Sequence, residues 1–109
     1  MFAVASKFLV LWKLEISRVG PDMMRAVVRQ QEYGRKLQSD GKLQNRYHLV
    51  GAHGGAWIYQ VESHEELDNL LAMAPAYNYA TYQVFPLAEM EQIAEGDQTT
   101  VIGSEQERS

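Results

Sequence analysis

Hydrophobic positions along the chain change from strand-like to helix-like spacing within the first forty residues. From Lys7 to Ile16 the sequence is rich in β-branched and aromatic residues, and beyond Trp12 it alternates apolar with charged positions, which predicts a first strand. The next stretch predicts a helix, because one face of it is formed by residues at three- and four-residue spacing: Met23, Val27, Gln30, Gly34 and Leu37. Gly20-Pro21-Asp22 suits the start of that helix, and Gly41 suits a left-handed cap at its end.

The second half of the chain repeats this change of spacing. Leu43 to Val50 and Ala56 to Glu62 predict a second and a third strand, joined by a glycine-rich hairpin. Ser63 and Glu66 have capping-box spacing, so a second helix begins there, and it must end before Pro75. Tyr79 to Phe85 predicts the fourth strand, and residues 87–94 a short helical turn. The order predicts an α+β, ferredoxin-like βαββαβ fold with an antiparallel sheet and both helices on one face.

Length, composition and charge limit the number of domains, the kinds of partner and the chemistry that the chain can have. The 109 residues predict one domain over residues 7–94 and a polar tail over residues 95–109, either mobile or docked on a partner. A net charge of −4 disfavours nucleic acid and anionic membranes as partners. The absence of cysteine excludes disulfides and thiolate chemistry. The apolar run from Phe8 to Trp12 is too short for a membrane span or a secretory signal, so we expect a cytoplasmic protein.

The predicted sheet carries aliphatic and aromatic residues on both faces. Two helices can cover only one of these faces, so the other is expected to be buried against another subunit. The sequence therefore predicts a homo-oligomer, a dimer or a larger assembly.

Several residues are candidates for a site between the first helix and the sheet. Gln30 and Gly34 fall on the inner face of the helix. Gly34 indicates close approach of the backbone, room left for a ligand, or mere tolerance of a weak helix former. Trp57 and Tyr59 share one face of the third strand. His53 stands in the glycine-rich turn, where it could carry protons at the end of a pocket or simply face solvent.

The remaining candidate residues can also be explained by structural roles. His48 lies within the second strand and could donate into a pocket or serve as an interface residue, and Tyr79 could bound the pocket at the fourth strand. Three histidines without short ligand spacing predict no metal site. The turn Gly51-Ala52-His53-Gly54-Gly55 leads into a strand and not a helix, so it is not a phosphate-binding loop, and no cofactor is expected.

The stretch from Glu32 to Leu87 resembles the muconolactone isomerase family. The resemblance rests on Lys36-Leu37-Gln38 before Gly41, on the Gly51 hairpin, on Tyr59 to Ser63 leading into Glu66-Leu67, and on Pro75 and Tyr79. It implies a dimeric α+β barrel and a proton shift beside a lactone carbonyl, managed by a glutamate and a histidine. Gln30 and Ala52 stand at those two positions, and His48 replaces an expected arginine, so in this alignment the family's proton-transfer pair is missing. A shift of one position would instead bring His53 into the histidine's place.

These features predict a cofactor-free isomerase or cyclase that shifts a proton on a small lactone, quinone-like or polyketide-like substrate. His53 or Tyr59 would carry the proton, and Gln30, Gly34, His48, Trp57 and Tyr79 would bind the substrate. Two alternatives stay open. The same barrel hosts cofactor-independent monooxygenases, and a relative without the glutamate and histidine could bind a ligand or a partner without turnover.

Overall fold

The computed structural model describes residues 5–90, which form a sheet of four strands and two α-helices. The strands are β1 (Ser6–Leu14), β2 (Leu43–His48), β3 (Gly54–Val61) and β4 (Ala80–Leu87), and the helices are α1 (Pro21–Ser39) and α2 (His64–Ala72). Short 3₁₀ turns at Ile16–Arg18 and Tyr77–Tyr79 precede α1 and β4. The predicted βαββαβ order is confirmed. The proposed tail, and the end of the helical turn expected over residues 87–94, lie outside the described residues.

The sheet has the strand order β2-β3-β1-β4, with every neighbouring pair antiparallel. Trp12 pairs with Gly55 on one side and with Tyr82 on the other. Because the side-chain period of a strand is two, this register places Phe8, Val10 and Trp12 on one face together with Trp57 and Tyr59. These five residues are buried, as are Leu37 of α1 and Leu67 of α2 in the same cluster. Both helices therefore cover one face.

The helix ends agree with the expectations from sequence. Gly41 has a φ of +79°, the left-handed conformation that follows the last turn of α1. Ser63 accepts a hydrogen bond from the Glu66 backbone N–H, and Glu66 Oε1 accepts one from the Glu62 backbone N–H at 2.8 Å. The two bonds fix the start of α2 as a variant of the capping box, in which the Glu66 side chain bonds the residue before the N-cap Ser63 and not Ser63 itself. Neither helix in the described part of the chain has an apolar stretch long enough to cross a bilayer.

The bounds of all four strands differ from those predicted. β1 ends at Leu14, because Ile16 belongs to a 3₁₀ turn, and β2 ends at His48, ahead of a turn in which Gly51 has a φ of +80°. β3 begins earlier, at Gly54, because a Cβ there would meet the Trp12 carbonyl oxygen at 1.9 Å, a closeness that only glycine allows. β4 begins after Tyr79 and extends to Leu87.

The other face of the sheet carries an apolar row without a covering helix. Ile58 pairs with Leu9, and Leu9 pairs with Phe85, so three apolar side chains follow one another across β3, β1 and β4. Phe85 and Leu87 each expose 43% of their surface. This row is called the open face below.

Candidate active site

A cleft of about 430 Å³ opens between α1 and the end of the sheet where β3 begins. Its lining combines aromatic, amide and basic side chains with the glycines of the β3 start: Trp12, Leu14, Val27, Gln31, Gln38, Arg46, Tyr47, His48, His53, Gly54, Gly55 and Trp57. Within the described residues, no aspartate or glutamate lines this cleft. Its polar groups therefore suit a small molecule that carries negative charge or hydrogen-bond acceptors.

Two side-chain hydrogen bonds hold Arg46 in the cleft. Its Nε donates to Gln38 Oε1 at 2.9 Å and its Nη1 donates to Gln31 Oε1 at 3.2 Å. The guanidinium carbon lies 5.9 Å from the centre of the Trp57 ring, within the range of a cation–π contact. Among residues 5–90, no carboxylate lies within ion-pair distance of Arg46. Two neutral amides thus orient a guanidinium whose charge is left available for an anion.

His48 and His53 bring imidazoles to the same cleft. His48 follows Arg46 by two residues on β2, so strand alternation puts both on one side. His53 lies in the hairpin turn, where its carbonyl oxygen accepts a hydrogen bond from the Leu14 backbone N–H at 2.7 Å and so ties the turn to the end of β1. Both side chains are exposed. Imidazole is a side-chain group that can accept and donate protons near neutral pH, so these two residues can serve as acid and base in the cleft.

Trp12 and Trp57 form the floor of the cleft. Their ring centroids lie 5.6 Å apart with the planes at 87°, an edge-to-face pair. Trp12 Nε1 is buried and has no hydrogen-bond partner among residues 5–90. A Cβ on Gly55 would lie 2.9 Å from Nε1 of each tryptophan, so both indole rings pack against the Gly55 backbone more closely than any side chain there would allow.

Gly34 allows α1 to approach the floor of the cleft. A Cβ at this position would lie 2.7 Å from Arg46 Cδ and 2.9 Å from Trp57 Cη2. This geometry is a close approach of the helix backbone to two side chains of the sheet. Arg46 and Trp57 fill the space beside Gly34, so Gly34 acts as a spacer behind the cleft and not as part of its lining.

Three of the candidate residues lie away from the cleft. Gln30 has no exposed surface, and its Oε1 accepts a hydrogen bond from the Ala76 backbone N–H at 2.9 Å, so it does not line the cleft. Tyr59 is 1% exposed, and burial raises its pKa far above the usual range of a phenol. Tyr79 lines a separate polar depression beside Arg25 and Arg29. The expected site of seven residues thus keeps only His48, His53 and Trp57 in the lining.

Sequence reasoning missed Arg46, Trp12 and the two glutamines that hold the guanidinium. Gln31 and Gln38 are seven residues apart, two helical turns on the same side of α1, which is a signal that periodicity could have supplied. In the sequence, Trp12 is only one of the apolar residues of the first strand. Its place in the cleft follows from the pairing of Trp12 with Gly55, which local sequence does not show.

Phenol and amide groups behind the cleft belong to the core. Burial raises the pKa of Tyr82 to about 12, and the Tyr82 hydroxyl and Gln30 Nε2 are both buried without a hydrogen-bond partner in the described part of the chain. Tyr33 donates to the Leu70 carbonyl oxygen at 2.7 Å, and burial raises its pKa. These groups keep their protons at neutral pH. Among residues 5–90, no cluster of three or more His, Asp or Glu side chains could hold a metal ion.

Fold and cleft together define a small α+β protein with a ferredoxin-like sheet and a basic pocket at one end of its helix-covered face. The family model described as muconolactone delta-isomerase matches residues 7–92, and the chain belongs to this family. It is 39% identical over 61 residues to muconolactone Delta-isomerase of Cupriavidus pinatubonensis, a match that covers 56% of this chain and 66% of that protein. It is 36% identical over 59 residues to muconolactone Delta-isomerase 1 of Acinetobacter lwoffii, covering 54% of this chain and 62% of the relative.

A solved structure agrees with the fold. The crystal structure of a muconolactone isomerase superposes with a TM-score of 0.68 at 20% sequence identity, over 76% of this chain and 88% of that chain. At this identity the likeness concerns the fold alone. The sequence matches to the two curated relatives span less than two thirds of each relative's length.

Proposed function

We propose that this chain is a cofactor-free isomerase that moves a proton on a small anionic lactone bound in the cleft. The observation that supports this most is Arg46, a guanidinium held by Gln31 and Gln38 and left without a carboxylate among the described residues. A carboxylate on the substrate would complete that site through paired, charge-assisted hydrogen bonds. The family of the chain, whose named relatives are isomerases of a lactone, agrees with this class of substrate.

His53 and His48 are the proton carriers in this proposal. A proton shift beside a carbonyl needs a base to remove the proton and an acid to return it at another carbon. The family's glutamate position is occupied here by Gln30, whose amide is already engaged with Ala76 and points away from the cleft. The imidazoles at the cleft mouth are the groups left to perform both steps, with the lactone ring lying against Trp57.

Deuterium exchange tests the proposal directly. Muconolactone, as a carboxylate-bearing lactone, is incubated with the protein in D₂O, and NMR follows loss of the proton signal beside the carbonyl together with any isomerised product. Because both family proton-transfer residues are replaced, we expect turnover well below that of a family enzyme but above the buffer control. His53→Ala should lower it by about 10²–10⁴-fold, the usual contribution of a general acid or base.

His64→Ala is the matched control for that variant. His64 is also an exposed histidine, but it lies at the start of α2 with its ring 5.5 Å from Phe8, outside the cleft. It should keep full turnover. Equal rates for the His53→Ala and wild-type proteins, or no exchange above buffer, would refute the proton-shift proposal.

One observation favours a second candidate, a relative that binds its ligand without turnover. Gln30 takes part in the core instead of facing the cleft, so the chain has no buried carboxylate base there. Saturable binding of the lactone with no deuterium exchange would support this candidate. The monooxygenase alternative rests on fold analogy alone and requires oxygen uptake with phenols, which an oxygen electrode measures.

A homo-oligomer formed through the open face is also part of the proposal. Ile58, Leu9 and Phe85 form an apolar row that α1 and α2 do not cover, and a second copy would bury it. Sedimentation velocity at micromolar concentration should show a dimer or a larger species. Phe85→Glu should yield a monomer, whereas Val84→Glu, with 42% exposure against 43% for Phe85 but on the opposite face, should not.

A further inference from the structure

The two edges of the sheet are protected to different degrees. The strand order places β2 at one edge and β4 at the other. β2 contains Arg46 and has a register shift beside Leu43, and charged side chains and bulges discourage another strand from pairing at an edge. β4 has eight residues in continuous register with β1, and none of them is charged. β4 is therefore the edge that is more open to a further strand.

The backbone of β4 directs hydrogen-bonding groups away from the sheet along this edge. The Glu15 N–H donates to the Tyr79 carbonyl oxygen at 2.8 Å, so in the continuous register the odd-numbered residues of β4 bond to β1. The even-numbered residues Tyr82 and Val84 therefore point their N–H and C=O groups outward. Pro86, which has no N–H, takes the same orientation, as expected for a proline at a sheet edge. Within residues 5–90, no strand lies on that side of β4.

Both faces of β4 also expose apolar side chains beside the free edge. Val84 faces the helix layer and is 42% exposed, and Phe85 belongs to the open face and is 43% exposed. α1 packs mainly on β2 and α2 mainly on β3, so β4 lies at the margin of the helix layer. A strand laid beside β4 would cover part of both side chains at once, whereas a helix on one face would cover only one of them.

The chain contains a segment with the composition of such a strand. Thr99 to Ile102 is a run of four β-branched residues, with a glycine–aspartate pair shortly before it and a glycine directly after it. This run lies outside the described residues and beyond the part of the chain that the family model matches. Val101 and Ile102 are adjacent, so in a strand one of them would lie on each face, as the two exposed apolar residues of β4 do.

We propose that residues 98–102 form a fifth strand that pairs antiparallel with the free edge of β4 in the same chain. Ten residues, 88–97, connect β4 to this segment. A parallel pairing needs a crossover of about a dozen residues or more, so this connection favours a simple reversal of direction. It also holds the segment near its own β4 at an effective concentration on the order of 1 mM, which favours the same chain over a second copy. The added strand would shield an edge that could otherwise pair with another molecule.

Amide hydrogen exchange measured by NMR tests this pairing. Thr100→Pro and Val101→Pro each remove one N–H, and neighbouring N–H groups of a strand point in opposite directions. The proline whose lost N–H faces β4 should speed exchange at Tyr82 and Val84 by about tenfold or more, and the other proline should have a smaller effect. Exchange at Tyr82 and Val84 that is the same in the wild type and in both variants would overturn the proposal.

Two controls separate loss of pairing from a general effect of proline. Ser104→Pro lies past the glycine that ends the segment, so it should leave exchange at Tyr82 and Val84 unchanged. The Arg46 and His48 amides point outward from the other edge of the sheet, because the Leu49 N–H donates to the Gly54 carbonyl oxygen and fixes the opposite parity in β2. Their exchange should be the same in all variants.

A spin label distinguishes the same chain from a second copy. The sequence has no cysteine, so Ser104→Cys provides a single attachment site beside the segment. With ¹⁵N and the spin label on one chain, the label should broaden the amide signals of Tyr82 and Val84. In a reassembled mixture of ¹⁵N chains without the label and an excess of ¹⁴N chains that carry it, broadening should be much weaker. Equal broadening in the mixture would show that a second copy supplies the segment, and no broadening in either sample would show that the segment does not reach β4; each result would overturn the proposal.

Discussion

Trp57 and Tyr59 are two residues apart on the same face of β3, yet one borders the cleft and the other is sealed in the core. Their exposures, 2% and 1%, are nearly equal. Both belong to the buried cluster that contains Leu67 and Leu71 of α2. Trp57 also packs against Gly34 of α1 and lines the cleft, whereas Tyr59 does not line it. The comparison shows that alternation along the strand does not by itself decide which aromatic residue can meet a ligand.

Tyr59 offers the largest test of this contrast. Tyr59→Ala should lower the free energy of unfolding by about 3–5 kcal/mol, the usual cost of removing a large buried aromatic side chain. Tyr59→Phe should keep wild-type turnover, because burial holds the phenol in its protonated form and away from the cleft. Urea denaturation and the deuterium-exchange assay measure the two effects. A large loss of turnover in a well-folded Tyr59→Phe protein would show that the Tyr59 hydroxyl takes part in the reaction.

Gln30 tests the same contrast between core and cleft with a polar residue. Gln30→Leu leaves the Ala76 backbone N–H buried without its acceptor, which should cost about 1–3 kcal/mol of stability. Gln30→Glu introduces the glutamate that the resemblance to the family implies for this position. It should not raise turnover, because the side chain faces Ala76 and not the cleft. Higher turnover in Gln30→Glu would show that this side chain reaches the substrate after all.

Gly34 joins the two regions, so its substitution should affect both stability and binding. Alanine is favoured over glycine within a helix by roughly 0.5–1 kcal/mol, but overpacking costs about 1–3 kcal/mol, so Gly34→Ala should be destabilising on balance. Gly34→Leu should be worse and should weaken lactone binding by displacing Arg46. Adding Arg46→Ala to Gly34→Ala should recover part of the stability loss, and strict additivity in this double-mutant cycle would contradict the contact.

The smallest effect concerns the start of α2, the helix that helps seal Tyr59. The Glu62 backbone N–H and the Lys42 ammonium lower the pKa of Glu66 from its ordinary value of 4.5. A carboxyl whose folded pKa is depressed stabilises the fold above its unfolded pKa, and that contribution is lost as the pH falls through the folded pKa. Glu66→Gln should therefore flatten the decline of thermal stability below pH 4.5, whereas Glu65→Gln in the same turn should retain the wild-type decline. Identical pH profiles for Glu66→Gln and the wild type would contradict the role of this carboxylate.

The sequence was a good guide to the fold because its signals are local. Alternation, helical spacing, the left-handed glycine at Gly41 and the box formed by Ser63 and Glu66 each concern residues near one another in the chain. The site residues were harder to predict from the sequence, because the inner face of a helix is wide and contacts several strands and loops. Gln30 and Gly34 share that face, yet Gln30 meets Ala76 while Gly34 meets Trp57 and Arg46. Which strand lies under each turn of a helix is set by packing between distant segments.

The two tryptophans of the sequence are both floor residues of the cleft, so the intrinsic fluorescence of this protein originates in its candidate active site. At a ring separation of 5.6 Å and near-perpendicular planes, the indoles exchange excitation energy and report on the same small volume. Arg46 lies over one of these rings and adds a charge that a bound anion would screen. Any ligand that enters should change the emission colour and the near-ultraviolet circular dichroism without an added label. Candidate substrates can therefore be screened on the unlabelled protein by tryptophan fluorescence and circular dichroism.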